Sequence, residues 1–389
     1  MASEHGSGVG MPTRKTILFI GTVPPPITGQ SLACAVFLQE LTKHYDVRVI
    51  NINKSDLASG GFVWGRVKEI MGILRHVRRE ADGVDGVYFT ITESILGNAK
   101  DLLIYLACRR LLPNTVVHLH GGAGMIRLLH GPVGVVRRLN AAFLRRMAAV
   151  IVLGDRLRRV YDGVIAPDML RVVENFAERE YQLPAELVGV KFRERGRLRV
   201  LFLSNMIAEK GYLLLRDAVH ALERDYPGAV QLDFAGAFVT EDDKADFLAS
   251  IADRPYVRYH GVVNGERKKQ LLQQAHVLAL PTYYPFEGQP ISILEGYAAG
   301  CAVLTTDHSG IFDIFTPGRN GWEVEKHSVG SIRQALETCL SDSEKLAAIA
   351  HYNADVAKTR FTAERYNAAL LSIIEEAIAG RDQSVATTA

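Results

Sequence analysis

Short apolar runs alternate along the chain with longer segments in which apolar side chains recur every three or four residues. The short runs are rich in β-branched residues and lack alternating polar positions, which is typical of parallel strands covered on both faces. In the first half of the chain this pattern predicts strands over residues 16–21, 46–52, 86–91, 115–120, 149–153 and 170–173, and helices over residues 31–44, 65–79 and 98–112.

The same alternation starts again in the second half. It predicts a helix over residues 212–225 and strands over residues 198–203, 230–235, 256–261, 277–280 and 302–305. Residues 343–379 have a helical pattern and residues 380–389 that of a frayed tail. Between the two halves, residues 178–197 are dense in charge and contain Pro184, which indicates a linker.

These elements predict an α/β protein made of two doubly wound, Rossmann-like domains that face a central cleft. We expect the first domain to span residues 14–190 and the second residues 191–365, followed by a C-terminal helix and tail over residues 366–389.

The composition is that of an ordinary globular protein, with 48% hydrophobic and 23% charged residues among 389. The apolar run over residues 102–108 is far too short to span a bilayer, and the small polar residues 1–13 lack the pattern of a signal peptide. The cysteines occur singly, which argues against a disulfide framework or a zinc site and suggests the cytoplasm. They are Cys34, Cys108, Cys301 and Cys339.

The net charge of +2 is unevenly distributed and argues against nucleic-acid binding. Residues 1–190 hold 23 Lys and Arg against 17 Asp and Glu, whereas residues 191–389 hold 22 against 26. The basic first half therefore favours contact with an anionic surface or ligand, although ordinary surface variation also accounts for the difference.

Several nucleotide-binding motifs are absent from the sequence. Neither half has G-x-G-x-x-G after its first predicted strand, which disfavours a dehydrogenase, and no G-x-x-x-x-G-K-[ST] indicates a P-loop ATPase. No D-x-D pair occurs, so the usual metal-diphosphate device of metal-dependent sugar transferases is missing, and we expect no metal site.

The segment 285–300 has the strongest chemical signal. Pro290 fits the first turn of a helix, so that Gly288, Gln289 and Ile291 present backbone N–H groups at its positive end, a suitable site for a diphosphate. Glu287 precedes this helix and is placed to reach a sugar hydroxyl, while Glu295, inside it, is placed alongside a group such as a ribose. The alternative is a capped surface helix with an acidic residue at each end.

Glu287 and Glu295, with seven residues between them, resemble the paired-glutamate motif of family 4 retaining glycosyltransferases (glycosyltransferase group 1), which have the GT-B fold. The resemblance extends over about residues 15–365. It implies that Glu287 contacts the hydroxyls of the donor sugar and that Glu295 contacts the nucleotide ribose.

Three further segments resemble the same family. Residues 203–211 look like its G-R-L-x-x-E-K-G segment, which implies that Lys210 neutralises the donor diphosphate, although Asn205 stands where the family usually has Arg. Gly29 matches a glycine-bearing loop that approaches the donor phosphate, where many relatives have two adjacent glycines. His120 matches the histidine beside the anomeric centre, whereas we expect His118, deeper in the strand, to be structural.

The resemblance implies transfer of a hexose, with retention, from a nucleotide-diphosphate sugar to a saccharide or lipid-linked acceptor, without a metal or other cofactor. The setting would be cell-envelope or exopolysaccharide synthesis. The expected catalytic residues are His120, Lys210 and Glu287. The expected donor-binding residues are Gly29, Asn205, Lys210, Glu287, Gly288, Gln289, Pro290, Ile291 and Glu295. The alternatives are a nucleotide-sugar epimerase or hydrolase on the same scaffold, or a non-catalytic protein that binds sugar nucleotides.

Two segments of the first half combine arginines with apolar residues. Residues 125–148 hold five arginines, and on a helix Arg138 and Arg145 would share one face. Residues 65–79 are similar. We expect these segments to place the protein peripherally on an anionic membrane, at the inner face of the cytoplasmic membrane, near a polyprenyl-linked acceptor. The alternative is that both are ordinary sheet-covering helices with solvated arginines.

Overall fold

The computed structural model describes residues 14–52, 63–193 and 196–386. Within these residues the first half of the chain forms a parallel sheet of six strands in the order β2-β1-β3-β4-β5-β6, with helices on both faces. The strands are β1 (Thr16–Gly21), β2 (Asp46–Asn51), β3 (Gly86–Thr90), β4 (Thr115–His118), β5 (Ala149–Val152) and β6 (Leu170–Val172). The helices are α1 (Gly29–His44), α2 (Val63–Glu80), α3 (Ile95–Ala107), α4 (Ala123–His130) and α5 (Gly134–Leu144).

The described part of the second half contains another six-stranded parallel sheet, in the order β12-β11-β10-β7-β8-β9. Its strands are β7 (Leu198–Leu203), β8 (Val230–Ala235), β9 (Val257–Tyr259), β10 (Val277–Leu280), β11 (Ala302–Thr305) and β12 (Gly321–Glu323). The surrounding helices are α6 (Ala185–Arg193), α7 (Tyr212–Asp225), α8 (Glu241–Ile251), α9 (Gly265–Gln274), α10 (Ile291–Ala298), α11 (Ile311–Ile314), α12 (Val329–Ser341) and α13 (Ser343–Thr359).

The last helix, α14 (Ala363–Ala386), returns to the first sheet. Tyr366, Leu370 and Ile374 are buried in a cluster with Phe19 and Tyr88 from β1 and β3. The helix therefore closes one face of the first domain with residues from the far end of the chain. It also runs on to Ala386, so the expectation of a frayed tail from residue 380 is wrong over residues 380–386.

Several predicted elements differ from the structure. The helix predicted over residues 98–112 is α3, which ends at Ala107, and the segment predicted as a linker contains the helix α6. The segment 125–148 is broken at Gly131 and Pro132 into α4 and α5, because proline cannot continue the hydrogen-bond pattern of a helix. The fourth strand ends at His118 rather than at residue 120, and the strand predicted over 256–261 is the shorter β9. No helix within the described ranges is long and apolar enough to cross a membrane.

Candidate functional site

The predicted lysine and first glutamate form an ion pair in the second domain. The Nζ of Lys210 lies 3.3 Å from Oε2 of Glu287 and donates a hydrogen bond to the Ser204 hydroxyl at 2.9 Å. The hydroxyl of Thr282 donates to the same Glu287 oxygen at 3.4 Å. Both charged side chains are largely buried, so the protein holds a cation and a carboxylate in fixed positions relative to each other.

Gly211 places Lys210 beside this carboxylate. Its φ of +82° lies in the left-handed region that favours glycine, and it begins α7 directly after the lysine. A Cβ at this position would overlap the carbonyl oxygen of Pro281 and lie 2.9 Å from its Cγ. The loop after β7 can therefore pack against the loop after β10 only because residue 211 has no side chain.

The second glutamate is engaged by a lysine that the sequence reasoning did not identify. Glu295 is only 2% exposed, and its Oε1 accepts a hydrogen bond from Nζ of Lys268 at 2.6 Å. The same ammonium lies 4.6 Å from the centre of the Tyr181 ring. Burial of this carboxylate is therefore compensated by a charge-assisted bond between its Oε1 and Lys268.

The start of α10 contacts the first domain. A Cβ on Gly288 would overlap the carbonyl oxygen of His120 and lie 2.9 Å from its carbonyl carbon. Pro290 is the N-cap residue rather than part of the first turn, and the buried Ile291 packs into the first-domain core that α14 covers. The two domains are thus in direct contact beside the candidate site.

The side chain of Gln289 ties the domains together rather than facing a ligand. Its Oε1 accepts from the backbone N–H of Asn175 at 2.6 Å, and its Nε2 donates to the carbonyl of Leu153 at 3.0 Å. The Asn175 amide donates in turn to the Gln289 carbonyl at 2.7 Å. The Gln289 side chain is therefore used in contacts between the domains, and the predicted donor contact of this residue rests on its backbone N–H.

His118, the last residue of β4, and His120, two residues beyond it, stack on each other with ring centres 4.0 Å apart. Nδ1 of His118 is 2.7 Å from the Tyr88 hydroxyl, which supports its structural assignment. Nε2 of His120 is shielded from solvent and has no hydrogen-bond partner among the described residues. Burial lowers the pKa of His120 to about 3, so its ring is neutral near pH 7.

Gly29 and Asn205 lie at the edges of this arrangement. Gly29 is exposed at the start of α1, and a Cβ on it would lie 4.0 Å from Cδ1 of Ile291, so its loop faces the start of α10. Asn205 is exposed in the turn after β7, next to the Ser204 that binds Lys210.

Glu93 is a further carboxylate at the cleft that the sequence reasoning missed. It follows β3, and its Oε1 accepts a hydrogen bond from the backbone N–H of Met125 in the first turn of α4 at 3.2 Å. Burial raises the pKa of Glu93 to about 7, even though hydrogen bonds from Met125 and Gly122 oppose the shift.

We expect Glu93→Gln to increase the free energy of unfolding, relative to the wild type, by more at pH 8 than at pH 5. The pKa of Glu93 is about 4.5 in the unfolded state and about 7 in the folded state, so between these pH values the folded state binds more protons than the unfolded state. Raising the pH through this range therefore lowers the free energy of unfolding of the wild type. The glutamine keeps the acceptor for Met125 without this penalty. The advantage in unfolding free energy should grow by about 1–3 kcal/mol between the two pH values, measured by urea denaturation. A constant difference would contradict the assignment.

An ion-pair cluster joins the loop after β5 to the loop after β11. Arg156 makes a bidentate contact with the carboxylate of Asp307, and the backbone N–H of Arg156 donates to the carboxylate of Asp313 at 3.1 Å. The Arg156 guanidinium holds the pKa of Asp307 below its usual range. These contacts hold the two domains together at a second place, besides the contact at the start of α10.

The segment that holds the two glutamates and Lys210 matches a known protein family. The family model for glycosyl transferases group 1 matches residues 197–342, which include Lys210, Glu287 and Glu295. Residues 197–342 are thus similar to a group 1 glycosyltransferase domain. Similar proteins include an uncharacterized glycosyltransferase of Methanocaldococcus jannaschii, 30% identical over 156 residues, which are 40% of this chain and 38% of that one. A putative colanic acid biosynthesis glycosyltransferase, WcaL of Escherichia coli, is 27% identical over 28% of each chain. The aligned parts thus span well under half of these relatives.

The fold of most of the chain matches solved structures, among them WaaG, a glycosyltransferase involved in lipopolysaccharide biosynthesis, with a TM-score of 0.66 at 16% identity over 93% of this chain and 98% of that chain. Anabaena HepE in complex with UDP superposes with a TM-score of 0.70 at 16% identity, over 93% of this chain and 99% of that chain. Together with the two facing six-stranded sheets, this shows the GT-B fold that the resemblance implied.

The residues that the sequence reasoning missed in the two domains are Lys268, Glu93 and Arg156. Each acts through a contact distant in sequence, and none stands in a motif of fixed spacing. Across the described ranges, no three or more His, Cys, Asp or Glu side chains are grouped so as to hold a metal ion.

Proposed function

We propose that this protein is a retaining glycosyltransferase that moves a hexose from a nucleoside diphosphate sugar to a saccharide or lipid-linked acceptor in cell-envelope or exopolysaccharide synthesis. The observation that carries the proposal is the Lys210–Glu287 pair beside the start of α10, within a group 1 glycosyltransferase domain. The colanic acid relative supports the biosynthetic setting, and HepE, solved with UDP and with UDP-glucose, supports a uridine diphosphate donor.

Lys210 and the start of α10 would stabilise the departing diphosphate. Transfer of the sugar leaves negative charge on the leaving group, and a preorganised cation and helix N-terminus lower the energy of that charge. Glu287 would orient the sugar hydroxyls, and Glu295, supported by Lys268, would bind the ribose through its second oxygen. The neutral His120 would shape the face on which the acceptor attacks.

The test is incubation of the wild-type protein with UDP-glucose, with and without a lipid extract of the source organism and a panel of soluble glycosides. We expect UDP release to depend on acceptor and the new bond to have the anomeric configuration of the donor, read by NMR. Equal release without acceptor would indicate a hydrolase, a changed donor sugar an epimerase, and binding without turnover a non-catalytic protein. Each of those results would refute the proposal.

We expect transfer to be independent of divalent metal. In the proposed mechanism the positive charge at the diphosphate comes from Lys210 and the helix N-terminus rather than from a bound ion. The measurement is the transfer rate of protein treated with EDTA and then exchanged into metal-free buffer. A loss of activity that Mg²⁺ or Mn²⁺ restores would contradict this expectation, while Na⁺ at equal ionic strength is the control.

We propose that the first domain rests peripherally on the inner face of the cytoplasmic membrane, through the exposed faces of α3 and α5. Ile95 and Leu96 at the start of α3 are 76% and 67% exposed, and the exposed Val135 and Leu139 lie on α5. The two helices are joined by reciprocal hydrogen bonds between the amides of Asn98 and Asn140 at 2.9 Å. Apolar residues exposed side by side on two joined helices suit insertion into a headgroup layer.

The charge around these helices supports an anionic membrane. Residues 94–154 hold eight Lys and Arg but a single acidic residue, Asp101, which is buried. Arg138 lies within α5 and Arg145 is its C-cap residue, so the break between α4 and α5 does not separate them. Arg137 and Arg145, however, donate hydrogen bonds to the carbonyls of Gly163 and Val164, which leaves Arg138 and Arg146 as the arginines of this helix end that can face a membrane.

We expect replacement of four exposed arginines by glutamine to reduce binding to anionic liposomes by about 100-fold or more, because each basic residue contributes about 1 kcal/mol near such a surface. The measurement is sedimentation with vesicles of phosphatidylglycerol and phosphatidylcholine at low and high salt. The variant changes Arg109, Arg110, Arg138 and Arg146, and a charge-matched control changes Arg224, Arg258, Lys345 and Arg365. Equal pelleting of both variants, or none of the wild type, would count against the membrane surface.

A further inference from the structure

A second cationic site lies between the domains, in a cavity of about 290 Å³ that we call the interdomain pocket. The first domain lines it with Arg156, Arg159 and Ile126, and the second with Asp307, His308 and Lys326. Its charged residues come from loops after β5, β11 and β12, and thus from the carboxyl ends of strands in both sheets, where α/β proteins bind ligands.

The pocket has more positive than negative charge. Arg156 is paired with Asp307, whereas the side chains of Arg159 and Lys326 make no hydrogen bond or ion pair with any residue that the structure describes. Both nevertheless lie close enough to Asp307 to lower its pKa. Two cations without a protein partner, focused in a cleft, attract an anion of matching charge.

The pocket is distinct from the proposed diphosphate site but adjoins it. None of Asn205, Lys210 or Glu295 is among the residues that line it. Its Ser309, however, donates a hydrogen bond from its hydroxyl to the carbonyl of Glu287 at 2.6 Å. Gly122, on the first-domain side, follows His120 by two residues. An anion held here would therefore lie next to the point of sugar transfer without occupying the position of the donor phosphates.

We propose that the interdomain pocket binds a phosphate or diphosphate group of the acceptor, with Arg159 and Lys326 neutralising its charge. This rests on the proposed function and names the acceptor class: a phosphorylated one. The apolar Ile126 and Leu157 contact the uncharged part of the molecule. Because the two cations belong to different domains, the acceptor phosphate also bridges them and favours the closed arrangement. A soluble sugar phosphate and a lipid-linked sugar diphosphate share this chemistry.

The first test is titration of inorganic phosphate and diphosphate, by calorimetry, into wild type, the double variant Arg159→Gln/Lys326→Gln, and Lys210→Ala. A double variant of two exposed cations, Arg224→Gln/Arg258→Gln, is the charge-matched control. We expect affinity to fall about tenfold or more in the pocket variant and to persist in Lys210→Ala and in the control. Equal affinity in wild type and pocket variant would overturn the proposal. Arg156 is left intact because it holds the domains together.

The second test is transfer to three acceptors: a sugar phosphate, a polyprenyl diphosphate-linked sugar and an uncharged glycoside. The KM for a phosphorylated acceptor should rise about tenfold or more in the pocket variant, while the KM for donor stays unchanged. Saturation by the soluble or by the lipid-linked acceptor identifies the source of the phosphate. Preferred use of the uncharged glycoside, with the same KM in both proteins, would overturn the proposal. If UDP-glucose does not bind at all, the proposed function is refuted but the proposal for the interdomain pocket is not, because the phosphate titration is carried out without donor.

Discussion

Lys210→Ala and Glu287→Ala should each reduce the rate of sugar transfer by about 100-fold or more. Lys210 is the cation nearest to Glu287, 3.3 Å away, and in the proposed mechanism it meets the charge that develops on the leaving diphosphate. Removing one preorganised electrostatic contact of this kind costs about 10²–10³ in rate. The measurement is kcat/KM for the donor at saturating acceptor, with UDP release as the readout.

Two controls separate chemistry from folding in this experiment. Glu287→Gln keeps an acceptor for the Thr282 hydroxyl but removes the charge facing Lys210, so its loss of activity reports the charge rather than the packing. Lys345→Ala removes an exposed lysine of α13 in the same domain and should leave the rate unchanged. Wild-type rates in Lys210→Ala, with circular dichroism showing a folded protein, would refute the assignment of the donor site.

The sheets could be predicted from the sequence because both faces of their strands are buried. The run Leu198–Leu203 is apolar at five of six positions, and β7 has these bounds in the structure. β12 escaped prediction because three residues, one of them a glycine with φ +150°, give no periodicity to detect. The helical pattern of α14 was visible, but its packing on the first domain depends on contacts across more than 250 residues, such as that of Asn114 with the Ala377 carbonyl.

The candidate site could be predicted only where spacing along the chain implies proximity. Glu287 and Lys210 stand at the ends of neighbouring parallel strands, so topology brings them together. The partner of Glu295 could not be found in this way, since Lys268 lies on α9 and meets α10 only through the packing of two helices. The contacts of the Gln289 side chain escaped prediction for the same reason, because its partners belong to the facing domain.

Gly288→Ala should reduce transfer by about 10- to 100-fold while leaving each domain folded. The added methyl would overlap the carbonyl oxygen of His120 in the facing domain and lie 3.1 Å from Cδ1 of Leu153. Backbone atoms cannot turn away as a flexible side chain can, so the domains must separate slightly, and a misplacement of about 1 Å between reacting groups costs about 100-fold in rate. The measurement is kcat for transfer, with donor affinity by calorimetry as a second readout.

A matched glycine distinguishes this steric effect from a general cost of substitution. At Gly330, in the first turn of α12 in the same domain, a Cβ would meet no atom within 4 Å, so Gly330→Ala should retain the wild-type rate. Because the obstacle for Gly288→Ala lies in the other domain, donor affinity should change much less than kcat, and small-angle scattering with UDP bound should show a larger radius of gyration than for the wild type. A Gly288→Ala protein that transfers sugar at the wild-type rate would show that contact between His120 and the start of α10 is not needed for the reaction.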